Sequence, residues 1–297
     1  MESAPKSNRP STYWRSRDRN FRSSARLHMQ HTIIQNTLGF MLEKHVKQSI
    51  LSAPHIPLKV ADLACGNGKW LLDLRDELAS QGISAELDGY DINSTVFPAP
   101  AFLPDSVRFR KVDVLSKPLP QELIGAYDIV HVRALVTVIY NANTTPLLSN
   151  ILAMLKPGGW LQWEEIRVDF IAEPATPDLP TSACDTLIGF VSASLKARGV
   201  SLDFVHELDQ DLTKNGFEDA HLLRSDLRKL DYRAWTDDVL LILEEIGQNF
   251  PSKVDEPQAP FTREFWAETF DNAVTETESG VALHSGPIYT VVGRKPL

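Results

Sequence analysis

Cysteine and net positive charge are both scarce in this sequence. Only two cysteines, Cys65 and Cys184, occur among 297 residues. A disulfide framework is therefore not expected, and a reducing compartment, here the cytoplasm, is predicted. Lysine and arginine number 30 against 39 aspartate and glutamate residues, which gives a formal net charge of −9. Because nucleic-acid-binding domains are usually basic, this balance argues against a nucleic-acid partner.

The sequence also lacks a membrane segment and an evident metal-binding motif. No apolar run approaches the length of a transmembrane helix, and no secretory signal is recognisable at Met1. No His, Cys and Asp residues recur with the spacing of metal ligands, so neither a metal nor a membrane partner is predicted. The length and the 43% hydrophobic content fit one large globular domain with or without a cap, as a monomer or a homodimer.

A glycine-containing turn joins a predicted strand to a predicted helix. Leu58, Val60 and Leu63 are apolar strand residues, and Gly66-Asn67-Gly68 follows them. The apolar residues within 69–78 then recur with the spacing of a helix face. The order of strand, glycine loop and helix is typical of the opening of a nucleotide-type βαβ unit.

Three classes of glycine loop can occupy this position. A phosphate-binding P-loop requires Lys and then Ser or Thr after the last glycine, but here Lys is followed by Trp. A dinucleotide fingerprint requires a third small residue, and Leu71 stands there instead. In the third class an acid at the strand end precedes small residues, and the pattern Asp62-x-Ala64-x-Gly66-x-Gly68 matches it. A glycine-rich α/β turn without a ligand is the structural alternative.

The next two predicted strands also end in acids. The strand at 86–91 ends in Asp91, roughly 20 residues past the glycines, where such folds place a carboxylate on ribose hydroxyls. The strand at 107–114 ends with Asp113 and Val114. Residues 127–133 and the Pro-Gly-Gly stretch at 155–165 predict a fourth and a fifth strand. Either acid alone could be a solvated strand-end carboxylate, but the complete series in this order is harder to explain that way.

These motifs, in this order over residues 58–168, resemble those of class I S-adenosylmethionine-dependent methyltransferases. The resemblance implies an α/β fold with a Rossmann-like, seven-stranded, mostly parallel sheet, helices on both faces and an antiparallel last strand. It also implies an N-terminal helical arm and helical lid insertions. S-adenosyl-L-methionine is the implied cofactor and S-adenosyl-L-homocysteine the implied product. Ala64 departs from the family pattern, which usually has glycine there.

The resemblance also implies where the cofactor is bound. In the family the glycine loop passes the methionine part, the acid of the second strand binds the ribose, and the acid of the third strand accepts a hydrogen bond from the adenine amino group. The cofactor-binding residues implied by these core motifs are Asp62, Ala64, Cys65, Gly66, Asp91, Ile92, Asp113, Val114, Val132 and Arg133.

The N-terminal segment combines a run of arginines with apolar residues at helical spacing over 24–46. A mitochondrial transit peptide and a nucleic-acid arm are two interpretations of the arginines. The segment also resembles the N-terminal helix of fungal natural-product methyltransferases that include the N-methyltransferase of gliotoxin biosynthesis. In that subgroup it folds over the cofactor, so Tyr13 and Arg26 become candidates for binding the cofactor carboxylate. A surface position for Arg26 is the alternative.

Catalytic candidates lie at the ends of the fourth and fifth strands. The family brings residues near His131 up to the reactive methyl, and an unperturbed imidazole, with a pKa of about 6.5, suits a general base. Glu164 and Glu165 point to opposite sides of a strand, so only one is expected to face the site, and Glu164 is the second catalytic candidate. The alternative is catalysis by positioning alone, with these groups serving as packing or surface charges.

Four domain segments are predicted: a disordered arm at 1–22, a helical cap at 23–57, a cofactor-binding core at 58–171, and lid helices with the last two strands at 172–297. Aromatics of the lid helices, Phe190, Tyr232 and Trp235, are predicted to line an acceptor pocket or to be core. The predicted function is methyl transfer to oxygen or nitrogen of a small-molecule secondary metabolite. The alternatives are a fold relative that catalyses a non-methylating cyclisation or pericyclic step, and a regulatory partner protein.

Overall fold

A seven-stranded sheet lies at the centre of the protein. The structure is a computed structural model that describes residues 20–52, 57–255, 258 and 261–297. Tyr13 and the rest of the predicted arm before Asn20 lie outside the described residues. The strands of this sheet are β1 (Leu58–Leu63), β2 (Ala85–Asp91), β3 (Val107–Lys111), β4 (Tyr127–Arg133), β5 (Leu155–Ile166), β7 (Glu218–Ser225) and β9 (Ile288–Arg294).

The strand order is β3-β2-β1-β4-β5-β9-β7. Strands β1 to β5 pair in parallel, whereas β9 is antiparallel to both of its neighbours, β5 and β7. This topology confirms the predicted Rossmann-like sheet with an antiparallel last strand. The chain moves outward from β1 to β3 and then returns to the other side of β1 at β4. Such a switch point opens a crevice at the carboxyl ends of the strands, where ligands bind in folds of this kind.

Helices cover both faces of the sheet. On one face α3 packs its apolar stripe, including Trp70 and Leu74, against Val60 and Ile129 of the sheet. On the other face Val130 and Val132 contribute to a larger core with the later helices. Because side chains alternate along a strand, neighbouring residues of β4 reach opposite cores. The helices are α1 (Phe21–Leu38), α2 (Lys44–Leu51), α3 (Lys69–Ser80), α4 (Thr145–Met154), α5 (Ser182–Ala197), α6 (Leu208–Lys214), α7 (Tyr232–Gly247) and α8 (Arg263–Glu278).

The helical pattern predicted over 24–46 is two helices in the structure. Gly39 ends α1 in the left-handed conformation, with φ of 73°, and its N–H donates to the Gln35 carbonyl at 2.8 Å. Glycine adopts this conformation without a steric penalty, so it terminates helices readily. Glu43 then caps α2 by accepting a hydrogen bond from the backbone N–H of His45 at 2.7 Å. None of the described helices is long and apolar enough to cross a membrane.

Three local features have no counterpart in the sequence analysis. A second, two-stranded sheet pairs β6 (Ile171–Pro174) with β8 (Val281–His284). A 3-10 segment at Asp203–Glu207 precedes α6. Thr144 is the N-cap of α4, but its hydroxyl donates to Asp211 at 3.0 Å instead of capping the helix.

Candidate functional site

A cavity of about 200 Å³ opens at the carboxyl ends of β1, β2 and β4. It lies at the switch point of the sheet, and the helices α1 and α7 contribute Ile34 and Ile242 to its wall. The predicted site residues that line it are Arg26, Asp62, Ala64, Cys65, Gly66, Asp91, Ile92, Asp113, Val114, His131 and Arg133.

Two predicted site residues, Val132 and Glu164, do not line the cavity in the part of the chain that the structure describes. Val132 is fully buried and points into the core on the opposite face of the sheet. Its direct neighbours His131 and Arg133 line the cavity, so strand alternation explains its different position. Glu164 is also fully buried and contacts the cavity only through the side chains that it binds.

The loop after β1 is folded tightly against the sheet. Ala64, Gly66 and Gly68 all adopt left-handed backbone conformations, with φ of 56°, 57° and 74°. A Cβ on Gly68 would overlap the ring of Phe109, so this position requires glycine. Ala64 adopts a strained conformation for a residue with a side chain, and such strain often marks a ligand site.

Asp91 fixes this loop to the end of β2. One carboxylate oxygen accepts a hydrogen bond from Gly66 N–H at 2.9 Å, and the other accepts from Asn93 N–H at 2.8 Å. Asp91 is only 1% exposed. The carboxylate therefore has a fixed orientation at the cavity wall, and an ionised carboxylate can accept several hydrogen bonds at once.

Asp113 lies just beyond β3, which ends at Lys111 and is thus shorter than predicted. Its carboxylate accepts a hydrogen bond from Leu115 N–H at 3.0 Å, which holds it in the loop. Ile92, Val114 and Leu115 line the same part of the cavity. Apolar side chains beside a single acid form a surface suited to a flat heterocycle with an amino group at its edge.

His131 is fixed between two carboxylates and an indole. Its Nδ1 lies 2.7 Å from Asp62 Oδ1, and its Nε2 lies 3.6 Å from Glu164 Oε2. Its ring stacks on Trp70 with 3.6 Å between ring centroids and an angle of 3°. Burial by itself would lower the pKa of His131, but Asp62 and Glu164 outweigh burial and raise the pKa. The two carboxylates thus shift the equilibrium of His131 towards the protonated imidazolium.

Arg133 connects this buried group to the N-terminal helix. Its Nε and Nη2 lie 2.6 and 2.5 Å from Glu164 Oε2, and its Nη1 lies 2.9 Å from His31 Nδ1. Burial would raise the pKa of Glu164, but Arg133 and His131 outweigh it and lower the pKa to about 2. Burial and the charge of Arg133 lower the pKa of His31 to about 4. His31 is consequently neutral near pH 7, accepting from Arg133 and donating to Asp73 Oδ2 at 2.8 Å.

The pKa of Glu165 is shifted in the direction opposite to that of Glu164. Its carboxyl accepts hydrogen bonds from the Trp163 indole and from the Leu135 and Ile166 backbone N–H groups, at 2.9 to 3.1 Å. Burial raises its pKa to about 8. In the described chain neither Glu164 nor Glu165 reaches the cavity wall, although one of the two was predicted to face it.

Polar residues of α1 and α7 meet beside the cavity, and the sequence did not predict this contact. Gln30 Nε2 donates to Asp238 Oδ2 at 3.0 Å, and Arg26 Nη1 lies 3.8 Å from Asp238 Oδ1. Burial raises the pKa of Asp238 to about 6, although Arg26 opposes the change. Arg26 is itself 5% exposed, which excludes the surface position considered above. Asp238 lies 208 residues from Gln30, so no local motif could have indicated the pair.

The lid aromatics are packing residues rather than cavity residues in the described structure. Phe190 packs edge-to-face on Trp266 with ring centroids 5.2 Å apart. Trp235 is 1% exposed and belongs to a small core with residues of α1. Tyr232 stacks on His284, and its hydroxyl donates to Glu173 at 3.1 Å. The core interpretation of these aromatics is the one that the structure supports.

A different group of potential ligands lies outside the cavity. Glu43, His45 and His221 bring three donor atoms within 4.8 Å of one another. The sequence spacing did not indicate a metal site, because His221 on β7 is far along the chain from Glu43 and His45 at the start of α2.

The chain is similar over part of its length to fungal proteins named as methyltransferases. No family model matches the chain. The methyltransferase grgD of a Penicillium species is 30% identical over 186 residues, which cover 60% of this chain and 60% of grgD. The N-methyltransferase gliN of Aspergillus fumigatus is 28% identical over 159 residues, covering 53% of this chain and 52% of gliN. The match to each relative thus spans less than two thirds of that relative's length.

A third relative is named as a regulator, and one solved structure shares the fold. The secondary metabolism regulator LAE1 of Cochliobolus heterostrophus is 26% identical over 193 residues, covering 63% of this chain and 57% of LAE1. The crystal structure of the CurJ carbon methyltransferase aligns with a TM-score of 0.51 at 12% identity, covering 94% of this chain and 59% of CurJ. At this identity the CurJ structure shows a shared fold and nothing more.

Proposed function

We propose that this chain is a class I S-adenosylmethionine-dependent methyltransferase that binds S-adenosyl-L-methionine in the cavity and methylates a small organic acceptor, a proposal that its sheet topology and its fungal relatives support. The observation that carries the proposal is the arrangement of Asp91 and Asp113 around the left-handed loop after β1. An acid at the end of β2 and another just beyond β3, beside a loop in which Gly68 has no room for a Cβ, fit a nucleoside better than a purely structural turn.

The cofactor is assigned to the cavity by the chemistry of its wall. The fixed carboxylate of Asp91 would accept hydrogen bonds from the ribose hydroxyls, and Asp113 would accept one from the adenine amino group. Ile92 and Val114 would pack against the adenine ring. The loop at 64–66 and Asp62 would hold the methionine part, on the side of the cavity that His131 and Arg133 line.

Methyl transfer is a single displacement. A lone pair of the acceptor oxygen or nitrogen forms the new bond to the methyl carbon, and the carbon–sulfur bond breaks with its electron pair going to sulfur. The product is S-adenosyl-L-homocysteine, and a proton leaves the acceptor to solvent. Holding the two reacting atoms in line contributes several kcal/mol to catalysis.

His131 acts as a positioning residue in this proposal. A base must be unprotonated before it reacts, whereas Asp62 and Glu164 favour the protonated imidazole. The group His131, Asp62, Glu164 and Arg133 carries two positive and two negative charges in this state. This balance permits its burial beside a cationic sulfonium without a large net charge.

The acceptor side of the cavity is mostly apolar. Ile34, Ile166, Val168 and Ile242 form this wall, and Gln30 and Arg26 provide hydrogen-bonding groups at one edge. A small, largely apolar molecule with one or two polar groups fits such a surface. The fungal relatives support a secondary-metabolite acceptor, and the name of gliN supports nitrogen as the methylated atom.

The test is an incubation of the full chain with S-adenosyl-L-methionine and a panel of small phenols, acids, amines and cyclic dipeptides, read by mass spectrometry. A product heavier by one CH2 group, formed together with S-adenosyl-L-homocysteine, is the expected result. An isomerised acceptor of unchanged mass would instead indicate a non-methylating reaction. Cofactor binding without any product across the panel would favour a regulatory protein, the role named for LAE1.

A further inference from the structure

We propose that Glu43, His45 and His221 bind a divalent transition-metal ion, with Zn²⁺ the best fit, between the start of α2 and the strand β7. Two imidazoles and one carboxylate are a common set of protein ligands for Zn²⁺, with water in the fourth position. The site is separate from the cavity and does not depend on the proposed methyl transfer.

The three donor groups already converge. His45 Nδ1 lies 3.1 Å from both carboxylate oxygens of Glu43, and His221 Nε2 lies 3.7 Å from Glu43 Oε1. The two imidazole rings meet edge-to-face with centroids 4.5 Å apart. Zinc binds nitrogen and oxygen ligands at about 2.0–2.2 Å, so ligands around one ion lie roughly 3–4 Å apart. Small side-chain movements would therefore complete the coordination.

The orientation of His221 turns its Nε2 towards the Glu43 carboxylate. Its Nδ1 lies 3.2 Å from the Asp219 carbonyl oxygen, which only accepts hydrogen bonds, so Nδ1 carries the hydrogen in this contact. Nε2 is buried and has no hydrogen-bond partner among the described residues. A neutral His221 with its hydrogen on Nδ1 would direct an Nε2 lone pair towards the Glu43 carboxylate, and a metal ion between the two groups would bind both. A backbone carbonyl on the second imidazole nitrogen is also the usual support of a metal-binding histidine.

The backbone of β7 is distorted where it presents His221. Asp219 has φ of 52°, an uncommon conformation for a residue with a side chain, and the pairing register with β9 shifts between Glu218 and His221. Such bulges change the direction of a side chain on a strand and are frequent at functional sites. Here the bulge precedes the residue that faces Glu43.

Glu43 is held in place from two sides. It is 1% exposed, its carboxylate accepts the backbone N–H of His45, and its own N–H donates to Gln162 Oε1 at 2.8 Å. A buried carboxylate is costly unless it is paired or coordinates a metal. The side chains of His45 and His221 are 45% and 33% exposed, so an ion can enter from solvent. The metal would join the second helix to the edge of the sheet.

The experiment uses the full chain without a histidine tag, treated with a chelator and dialysed. Calorimetric titration should show one Zn²⁺ bound per chain, and Co²⁺ should give the visible absorption of a tetrahedral site. Zn²⁺ should raise Tm, and Mg²⁺, which prefers oxygen ligands, should not. Zinc affinity should fall at least about tenfold in His221→Ala and in Glu43→Gln, since even the loss of an outer partner of a metal ligand costs that much.

The matched control is His28→Ala, which removes an exposed histidine of α1 outside the cluster and should leave zinc affinity unchanged. Glu43→Gln keeps an acceptor for the His45 N–H, and His221→Ala changes a partly exposed residue at the sheet edge, so at least one variant should fold. No Zn²⁺ binding by the parent protein would overturn the proposal and leave an ion-paired histidine cluster. Equal affinity in the parent and a folded variant would also overturn it, by placing the metal elsewhere.

Discussion

Replacing Asp91 with alanine should weaken cofactor binding strongly. In the proposed complex its carboxylate accepts both ribose hydroxyls, and hydrogen bonds to charged groups contribute about 1.5–3 kcal/mol each. In the variant, water can replace part of the hydrogen bonding that the ribose hydroxyls lose, so a net loss of about 2–3 kcal/mol of binding free energy is expected. Since 1.4 kcal/mol is tenfold in affinity, Kd should rise roughly 30- to 150-fold. Calorimetric titration with S-adenosyl-L-homocysteine measures Kd without turnover.

Asp91 also holds the loop through Gly66 and Asn93, so weaker binding could arise from a disordered loop. A cofactor analogue that lacks one ribose hydroxyl separates the two causes. The parent protein should bind this analogue more weakly than the parent ligand, whereas Asp91→Ala should bind the two almost equally.

The matched control is Asp88→Ala, three residues earlier on β2, where the carboxylate accepts a hydrogen bond from the Tyr127 hydroxyl at 3.1 Å. Asp88 does not line the cavity in the described chain, so cofactor affinity should be unchanged. The reasoning is refuted if folded Asp91→Ala binds the cofactor within about twofold of the parent protein, a difference of less than 0.5 kcal/mol.

Three further predictions concern pH, catalysis and the N-terminus. Burial raises the pKa of Glu165 from 4.5 to about 8. Between these pH values the folded state binds more protons than the unfolded state, so the free energy of unfolding should fall as the pH rises, by at most about 1.4 kcal/mol per pH unit. Urea unfolding across this range should show a smaller decline for Glu165→Gln; an identical decline would contradict the assignment. His131→Ala should lower kcat while the pH dependence of the rate persists, and loss of a pH–rate limb would make His131 the base. Deleting residues 1–19 should weaken cofactor binding, and equal Kd values would favour a targeting segment.

The fold was predictable because its signals are local. The alternation within β1 to β5 and the glycine loop after β1 each lie within about a dozen residues, as supersecondary motifs do. The acids at 62, 91 and 113 lie at or just beyond the ends of β1, β2 and β3, which the sequence itself marks. Parallel strands bring their carboxyl ends to one edge, so the cavity wall followed from the order of the strands.

The rest depends on contacts between distant residues. Asp238 reaches the cavity region through Gln30 on the first helix, and no spacing rule connects them. Glu164 was expected to face the cavity, but its carboxylate is buried against Arg133 and His131. The pattern of a single strand does not show such contacts. Gly39 is a single glycine within an otherwise helical pattern, so its left-handed conformation, which divides α1 from α2, was not evident from periodicity.

A crystal structure of the full chain with bound S-adenosyl-L-homocysteine would show whether the cofactor occupies the cavity. We expect the ribose hydroxyls within about 2.5–3.2 Å of the Asp91 carboxylate, a normal hydrogen-bond range, and the adenine amino group at a similar distance from Asp113. The sulfur should lie beside the loop at 64–66, facing His131 and Arg133. A cofactor bound elsewhere, or a nucleoside that contacts neither Asp91 nor Asp113, would contradict the account.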